Sequence, residues 1–326
     1  MNSANGGMAV PCVDRLVKLG MLALSVVALA VPGIAAVGAA SAGAVEAPAV
    51  YSNFGYGQGY DEVDSTGGVY VFGDAAFEGS LYSPGDTPLT AGHYAVGMAL
   101  TPDGKGYWIV GEDGGVFAFG DASFYGSEGN AGLTPGRLIT GMAATPDGKG
   151  YWLVGQDGAV YAFGDAGFYG SMGSAPLQIG HYAEGIVPTS SGTGYTLVGQ
   201  DGGTFNFGTT NGCTGLVTLG ITVSNIVGGV ADQAGNSCLW IIGNTGAVYA
   251  MAGANNATTP FWGSMGGEPL AEPAVGAAAT PDGAGYWIVT RDGGVFSFGE
   301  ASYLGSMAES PLANGATIVG IASTGS

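Results

Sequence analysis

Residues 106–127 read GYWIVGEDGGVFAFGDASFYGS, and the fold follows from the return of this pattern along the chain. Gly106-Tyr107-Trp108 recurs as Gly150-Tyr151-Trp152, Gly194-Tyr195-Thr196, Cys238-Leu239-Trp240 and Gly285-Tyr286-Trp287, with Gly59-Tyr60 ahead of them all. Steps of 44, 44, 44 and 47 separate positions 108, 152, 196, 240 and 287. A period near 44 belongs to stacked repeat architectures such as propeller blades. The longer step carries the extra stretch around Asn255 to Pro260, and the first step, from Tyr60 to Tyr107, lengthens around Pro84. Length varies where loops are expected.

Four short runs fill each copy: Val96 to Thr101, Gly106 to Gly111, Val116 to Gly120 and Ser123 to Ser127 in the second. Pro102-Asp103-Gly104, Asp113-Gly114-Gly115 and Asp121-Ala122 separate them. Asp-Gly between β-branched and aromatic runs is a hairpin signal, because glycine takes the positive φ of a tight turn without steric cost. Four antiparallel strands per repeat are therefore expected. Tyr107 and Ile109 alternate with Trp108 and Val110, so both faces are apolar and both must be covered. The first run is the smallest in side-chain volume (Gly97, Ala99; Gly141, Ala143; Gly276, Ala277), which suits the crowded inner position.

The first copy lacks that first run, whereas the chain closes on Thr317 to Ala322, which supplies one. The sequence therefore predicts an all-β fold, a six-bladed β-propeller closed by the C-terminal strand pairing with the N-terminal blade. A β-solenoid is the alternative.

Arg15 and Lys18 precede an apolar run, Leu19 to Ala40, that ends in small residues. That order predicts a signal peptide over 1–45, a lead-in segment over 46–58 and the repeat domain over 59–326. A retained membrane anchor is the competing reading, since the run approaches spanning length. No later segment is apolar enough to span, so no membrane insertion is expected after cleavage.

The full chain carries a formal charge of −19, and beyond the leader only Lys105, Arg137, Lys149 and Arg291 oppose 24 acids. Such a chain lacks the basic footprint of a nucleic-acid binder. It also repels anionic lipid, but tolerates cations and neutral, hydroxyl-rich partners. With Cys12 in the leader, Cys213 and Cys238 remain, and an exported chain most simply pairs them; two buried free thiols are the alternative. The fourth and fifth copies are the most degenerate, so a crosslink there would staple a weak joint.

Asp74, Asp121, Asp165 and Glu300 recur in Gly-Asp/Glu-Ala, and Asp103, Asp147 and Asp282 in Pro-Asp-Gly. Rings of carboxylates are Ca²⁺ ligands in principle, but repetition in most copies favours turn capping by each acid, and no other cofactor is indicated. Function should sit where the repeats differ. Four residues before the glycine of each first run stand His93, Arg137, His181, Ser224, Glu272 and Ala316, expected on the channel rim. His93, Arg137, His181, Ser224 and Glu272 are the candidate ligand-binding set. An enzyme reading makes His93 or His181 a general base with Glu184 or Glu272 as partner and Arg137 as anion clamp. Against it, no nucleophile elbow, HExxH, Walker loop or dinucleotide fingerprint is present. The repeated tryptophans could stack on sugars, but their strand-interior register reads as core.

GYWIVGEDGGVFAFGDASFYGS, GYWLVGQDGAVYAFGDAGFYGS and GYWIVTRDGGVFSFGEASYLGS resemble the Gly-Tyr-Trp, Asp-Gly-Gly-Val-Phe, Gly-Asp-Ala repeats of exported actinobacterial proteins. The resemblance spans roughly residues 59 to 325. It implies a β-propeller-like module of the cell envelope and carries no catalytic residues with it. The leading expectation is a secreted or surface-held module binding a glycan or protein ligand through the loops Ser80 to His93, Ser127 to Leu138, Ser171 to His181 and Cys213 to Asn225. A polysaccharide hydrolase, lyase or lactonase working in the channel is the second, and a structural spacer the third.

Overall fold

The structure, a computed structural model, describes residues 58–82, 89, 93–173, 175–177, 179–233, 238–253, 258–308, 310, 312 and 315–324. The expected signal peptide, the lead-in apart from Gln58, and most of the Asn-rich stretch in the fifth copy lie outside these residues. Among them no helix is long and apolar enough to cross a membrane.

Six three-stranded antiparallel sheets make up the domain. In chain order the second sheet is β3 (Ala95–Leu100), β4 (Gly106–Gly111) and β5 (Val116–Gly120). The third is β6 (Ile139–Ala144), β7 (Gly150–Gly155) and β8 (Val160–Gly164), and the fourth β9 (Ala183–Pro188), β10 (Gly194–Gly199) and β11 (Thr204–Gly208). The fifth is β12 (Ile226–Ala231), β13 (Leu239–Gly243) and β14 (Val248–Ala250), the sixth β15 (Ala274–Ala279), β16 (Gly285–Thr290) and β17 (Val295–Gly299). The first sheet joins β1 (Gly59–Asp64) and β2 (Val69–Gly73) to β18 (Ile318–Thr324), with Gly59 opposite Thr324 and Glu62 opposite Ile321. The tail of the chain thus supplies the missing first strand of the first copy.

The hairpin turns are fixed by their own acids, except in the fifth sheet, where Thr245 stands at the acid's position. Asp113 Oδ1 accepts from Gly115 N at 2.9 Å, Asp157 Oδ1 from Ala159 N at 3.0 Å and Asp201 Oδ1 from Gly203 N at 2.9 Å, while Gly114 takes φ 83° in the same turn. The Pro-Asp-Gly acids behave alike: Asp147 Oδ1 accepts from Lys149 N at 3.2 Å, and Asp282 Oδ1 from Ala284 N at 3.0 Å. Asp121 and Asp165 accept from Thr101 and Thr145 hydroxyls at 3.3 and 3.4 Å. Among the described residues no group of three or more His, Cys, Asp or Glu could hold a metal ion.

One expectation is corrected: the fourth run of each copy is not a ladder strand. Its backbone is held by side chains instead. Trp108 Nε1 donates to Ser123 O at 2.8 Å and Trp152 Nε1 to Gly167 O at 2.8 Å, each within its own repeat. Tyr151 Oη donates to Gly126 O at 2.6 Å and Tyr195 Oη to Gly170 O at 2.6 Å, each reaching back to the preceding repeat. Gly126 and Gly170 sit at φ 139° and 136°, a conformation that interrupts a ladder and that side chains rarely adopt. The Tyr-Trp pair is therefore a clamp, tyrosine to the sheet before and tryptophan to its own edge.

The core lies between sheets. β4, β7, β10 and β16 are buried along their whole length. Trp108 meets Tyr151 at 5.5 Å between ring centroids, Trp152 meets Tyr195 at 5.7 Å, Trp240 meets Tyr286 at 5.2 Å and Trp287 meets Tyr60 at 5.3 Å. These four tryptophans are fully buried, as their register predicts. Between the fourth and fifth sheets Thr196 and Leu239 replace the aromatic pair, and there Cys213 and Cys238 form a disulfide with Cα atoms 5.5 Å apart.

Candidate functional site

Each first strand packs on the next: β3 on β6, β6 on β9, β9 on β12, β12 on β15, β15 on β18 and β18 on β3. All six line one cavity. They converge at the glycines, where a Cβ on Gly141 would stand 3.7 Å from Gly185 Cα, one on Gly185 3.5 Å from Gly228 Cα, and one on Gly320 3.6 Å from Gly97 Cα. Small residues at this position are what allow the strands to approach.

A bulge precedes every one of these glycines. The register jumps from Ala95 to Gly97, Ile139 to Gly141, Ile226 to Gly228 and Ala274 to Gly276, and it likewise passes over Glu184 and Val319. An unpaired bulge residue is re-aimed out of the ladder, here toward the cavity that Val96, Thr140, Glu184, Val227, Val275 and Val319 line. Five of the six are valine or threonine. Glu184 is the one ionisable group at the waist, and burial pushes its carboxyl up to about 7.

Beyond the waist, on the side of the Asp-Gly turns, the cavity opens to 330 Å³ between Glu112, Gln156, Asn244, Arg291, Leu138 and Pro273. Most of its polar groups are fixed: Gln156 Oε1 accepts from Gly136 N at 2.9 Å, and Asn244 Oδ1 from Asn225 Nδ2 at 2.9 Å. Arg291 is exposed and has no ion-pair partner among the described residues. Among the described residues this end therefore offers one cation without an ion-pair partner, the Glu112 carboxylate at the mouth, the Glu184 carboxylate at depth, and amides between them. At the opposite end Thr101, Pro102, Thr145, Pro146, Ser190 and Pro281 enclose a wider space of 610 Å³.

The sequence-derived rim residues stand just outside this wall, since Leu138 and Pro273 line the cavity while Arg137 and Glu272 do not. His93 Nδ1 is 2.7 Å from Asp113 Oδ2, His181 Nδ1 is 2.6 Å from Asp201 Oδ2, and Arg137 Nε donates to Asp157 Oδ2 at 3.0 Å. In three successive repeats, then, the basic residue at this register fastens its own hairpin turn. Exposed pairs of this kind add little stability, but they occupy the histidine nitrogen that faces the turn. Ser224 and Glu272 are exposed at the same register. Neither histidine lines the cavity section holding Glu184.

Two features escape the sequence reading. Gln156, Asn244 and Arg291 were legible as the residue at the head of each Asp-Gly or Thr-Gly turn, a register that also holds Ser65, Glu112 and Gln200 and so varies between most repeats. The second is a row of exposed aromatics, Phe77, Phe124, Phe168, Phe261 and Tyr303, between 51% and 61% accessible. They share one register, following Gly-Asp-Ala or its variants, and the fourth repeat carries Gly212 there. Trp262 falls between core and surface: 40% accessible, it donates from Nε1 to Gly283 O of the next repeat at 3.3 Å.

No family model and no curated protein matches this chain. Among solved structures, a structural genomics protein of unknown function from Bacteroides thetaiotaomicron is similar at 15% identity and a TM-score of 0.48, the match covering 74% of this chain and 61% of that one. The β-propeller domain of Cps50 (Swd1) from Myceliophteria thermophila is similar at 10% identity and a TM-score of 0.44, covering 74% and 80%. Likeness at this level bears on neither activity nor ligand.

Proposed function

We propose that the six sheets close into a six-bladed β-propeller and that the molecule is an exported binding module for a hydroxyl-rich ligand, a glycan, seated at the channel mouth. The observation that carries this reading is the asymmetry of the mouth: Glu184 at depth, Glu112 at the mouth, a guanidinium with no ion-pair partner among the described residues, and side-chain amides between them. Hydroxyls donate to Glu184 and accept from Arg291, the pattern by which polar groups in a mostly apolar pocket fix orientation. The cyclic packing of first strands and the pairing of β18 with β1 support closure; the Cys213–Cys238 disulfide supports an oxidising compartment. Turnover in the channel is disfavoured because no histidine stands with Glu184.

A second location for the same ligand class is favoured by the aromatic row. Gly212 shows that a repeat folds without an aromatic at this register, so the five exposed rings are free to serve something other than folding, and a flat exposed ring offers an apolar face on which a sugar ring packs. A glycan array on the exported form, followed by titration of the best ligand, separates the two. Glu184→Gln and Arg291→Ala are each expected to weaken binding about tenfold or more, the loss of a hydrogen bond to a charged group, with Phe124→Ala and Phe168→Ala unchanged. The opposite pattern would move the site to the outer edge. No binding to any glycan would refute the assignment.

A further inference from the structure

The first sheet breaks the rule of the others. Its middle strand reads Gly59-Tyr60-Asp61-Glu62-Val63-Asp64 where the second sheet has Gly106-Tyr107-Trp108-Ile109-Val110-Gly111. The ladders are superimposable, with Asp61 opposite Val71 as Trp108 is opposite Ala118. Asp61 thus occupies the tryptophan register. Four of the other joints between sheets hold a Trp–Tyr contact and the fifth holds the disulfide, whereas between the first and second sheets a carboxylate meets Tyr107.

That carboxylate is buried, with 1% of Asp61 accessible, and Oδ1 has no hydrogen-bond partner. Glu62 points to the other face, toward the sixth sheet, where it is fully buried beside Asp292 with both oxygens unpartnered. The Met307 N–H, the one backbone donor that acts on it, is already engaged by Gly293 O at 3.0 Å. Asp64 shows what a satisfied acid looks like on the same strand, since it accepts from Thr66 N, Thr66 Oγ1, Gly68 N and Tyr70 Oη at 2.7 to 2.9 Å. An isolated buried carboxylate resists ionisation strongly. The groups facing Asp61 do nothing to relieve this: Glu78, on the run after β2, opposes ionisation, and Tyr107, on β4, is itself held protonated by burial first and by Asp61 next among charges. No basic side chain contributes at either acid.

We propose that the joint between the first and second sheets is a proton-gated seam, closed while Asp61 is neutral and opened locally when Asp61 ionises. Burial, and then Glu78, push the Asp61 carboxyl up to about 7 from an ordinary value of 3.8. The folded state therefore holds a proton that the unfolded chain has released, so the stability of this joint is complete below about pH 4 and declines as pH rises toward 7. Opening here parts β18 from β3, two strands of the cavity wall.

Three successive joints on the tyrosine register, this seam among them, carry comparable reporters. Glu78 N donates to Tyr107 Oη at 3.3 Å across this seam, as Tyr125 N does to Tyr151 Oη at 3.1 Å and Tyr169 N to Tyr195 Oη at 3.3 Å across the next two. Amide exchange at these three residues should be followed at pH 5 and pH 8 on the full chain, corrected for intrinsic pH dependence. Glu78 is expected to exchange roughly tenfold or more faster at pH 8 relative to Tyr125 and Tyr169, and Asp61→Asn should abolish the excess. Glu78→Gln is expected to reduce it. A pH-independent ratio in the wild type, or an excess that survives in Asp61→Asn, would overturn the proposal. So would an excess that added CaCl₂ suppresses and EDTA restores, since the carboxylate would then be a cation ligand.

Discussion

Replacing Trp152 with alanine is expected to lower the unfolding free energy by about 3–5 kcal/mol, enough to consume much of the stability of an ordinary domain. Trp152 has no accessible surface, packs at a steep tilt against Tyr195 of the next sheet with ring centroids 5.7 Å apart, and donates from Nε1 to Gly167 O at 2.8 Å. The substitution removes inter-sheet packing and the bond that holds the irregular fourth run to its own repeat. Urea denaturation followed by tryptophan fluorescence and by circular dichroism checks it. Trp152→Phe separates the two roles, because it keeps most of the ring contact and loses the donor; about 1–3 kcal/mol of destabilisation is expected for it. A loss below about 1 kcal/mol for the alanine variant would mean that the sheet interface is not where the ring sits.

The second large effect is at the disulfide. Cys213 precedes Cys238 by 25 positions, and opening a loop of that length is expected to cost roughly 3 kcal/mol through the unfolded state. Context raises the consequence here, because Thr196 and Leu239 leave this joint without the aromatic pair found at four others, and Thr196 Oγ1 donates to Asn206 Oδ1, its cross-strand neighbour in the same sheet, at 2.7 Å instead. Cys213→Ser with Cys238→Ser, or the wild type under a reductant, should unfold at lower urea concentration and lose protection first in the fourth and fifth sheets. An unchanged midpoint in reducing buffer would contradict the staple.

Most of the architecture was legible because glycine marks every hairpin turn, with aspartate before it in most, and because the Tyr-Trp pair, whole or in part, marks every middle strand. The tail's Thr317 to Ala322 could be assigned to the first sheet from the pattern alone, since the first copy lacked the strand that the tail supplies, and the observed strand runs Ile318–Thr324. The fourth run was misread as a strand because its residues, such as Phe124 and Tyr125, have strand-like propensity; only the contacts of Trp108 and Tyr151 reveal that side chains satisfy its backbone. The site was legible in part. Counting back from each first-strand glycine finds Glu184, but the same count places His93, Arg137 and His181 on the rim without disclosing that each is drawn to its own turn acid. Nor does sequence distance show that Arg291, one residue before Asp292, faces the space above Glu184. The exposed aromatics were hidden by their resemblance to core residues: in period-two segments an outward ring and an inward one look alike until the partner surface is known.

The account rests on one sheet being assembled from both ends of the described chain. Backbone amide exchange in β18 tests this most directly, through the amides of Ile318, Gly320 and Ala322 compared with those of β4 and β7. The account predicts that β18 is protected to the same degree as those strands and loses protection together with β1. Exchange in β18 at the rate of an exposed loop, with β1 still protected, would contradict it.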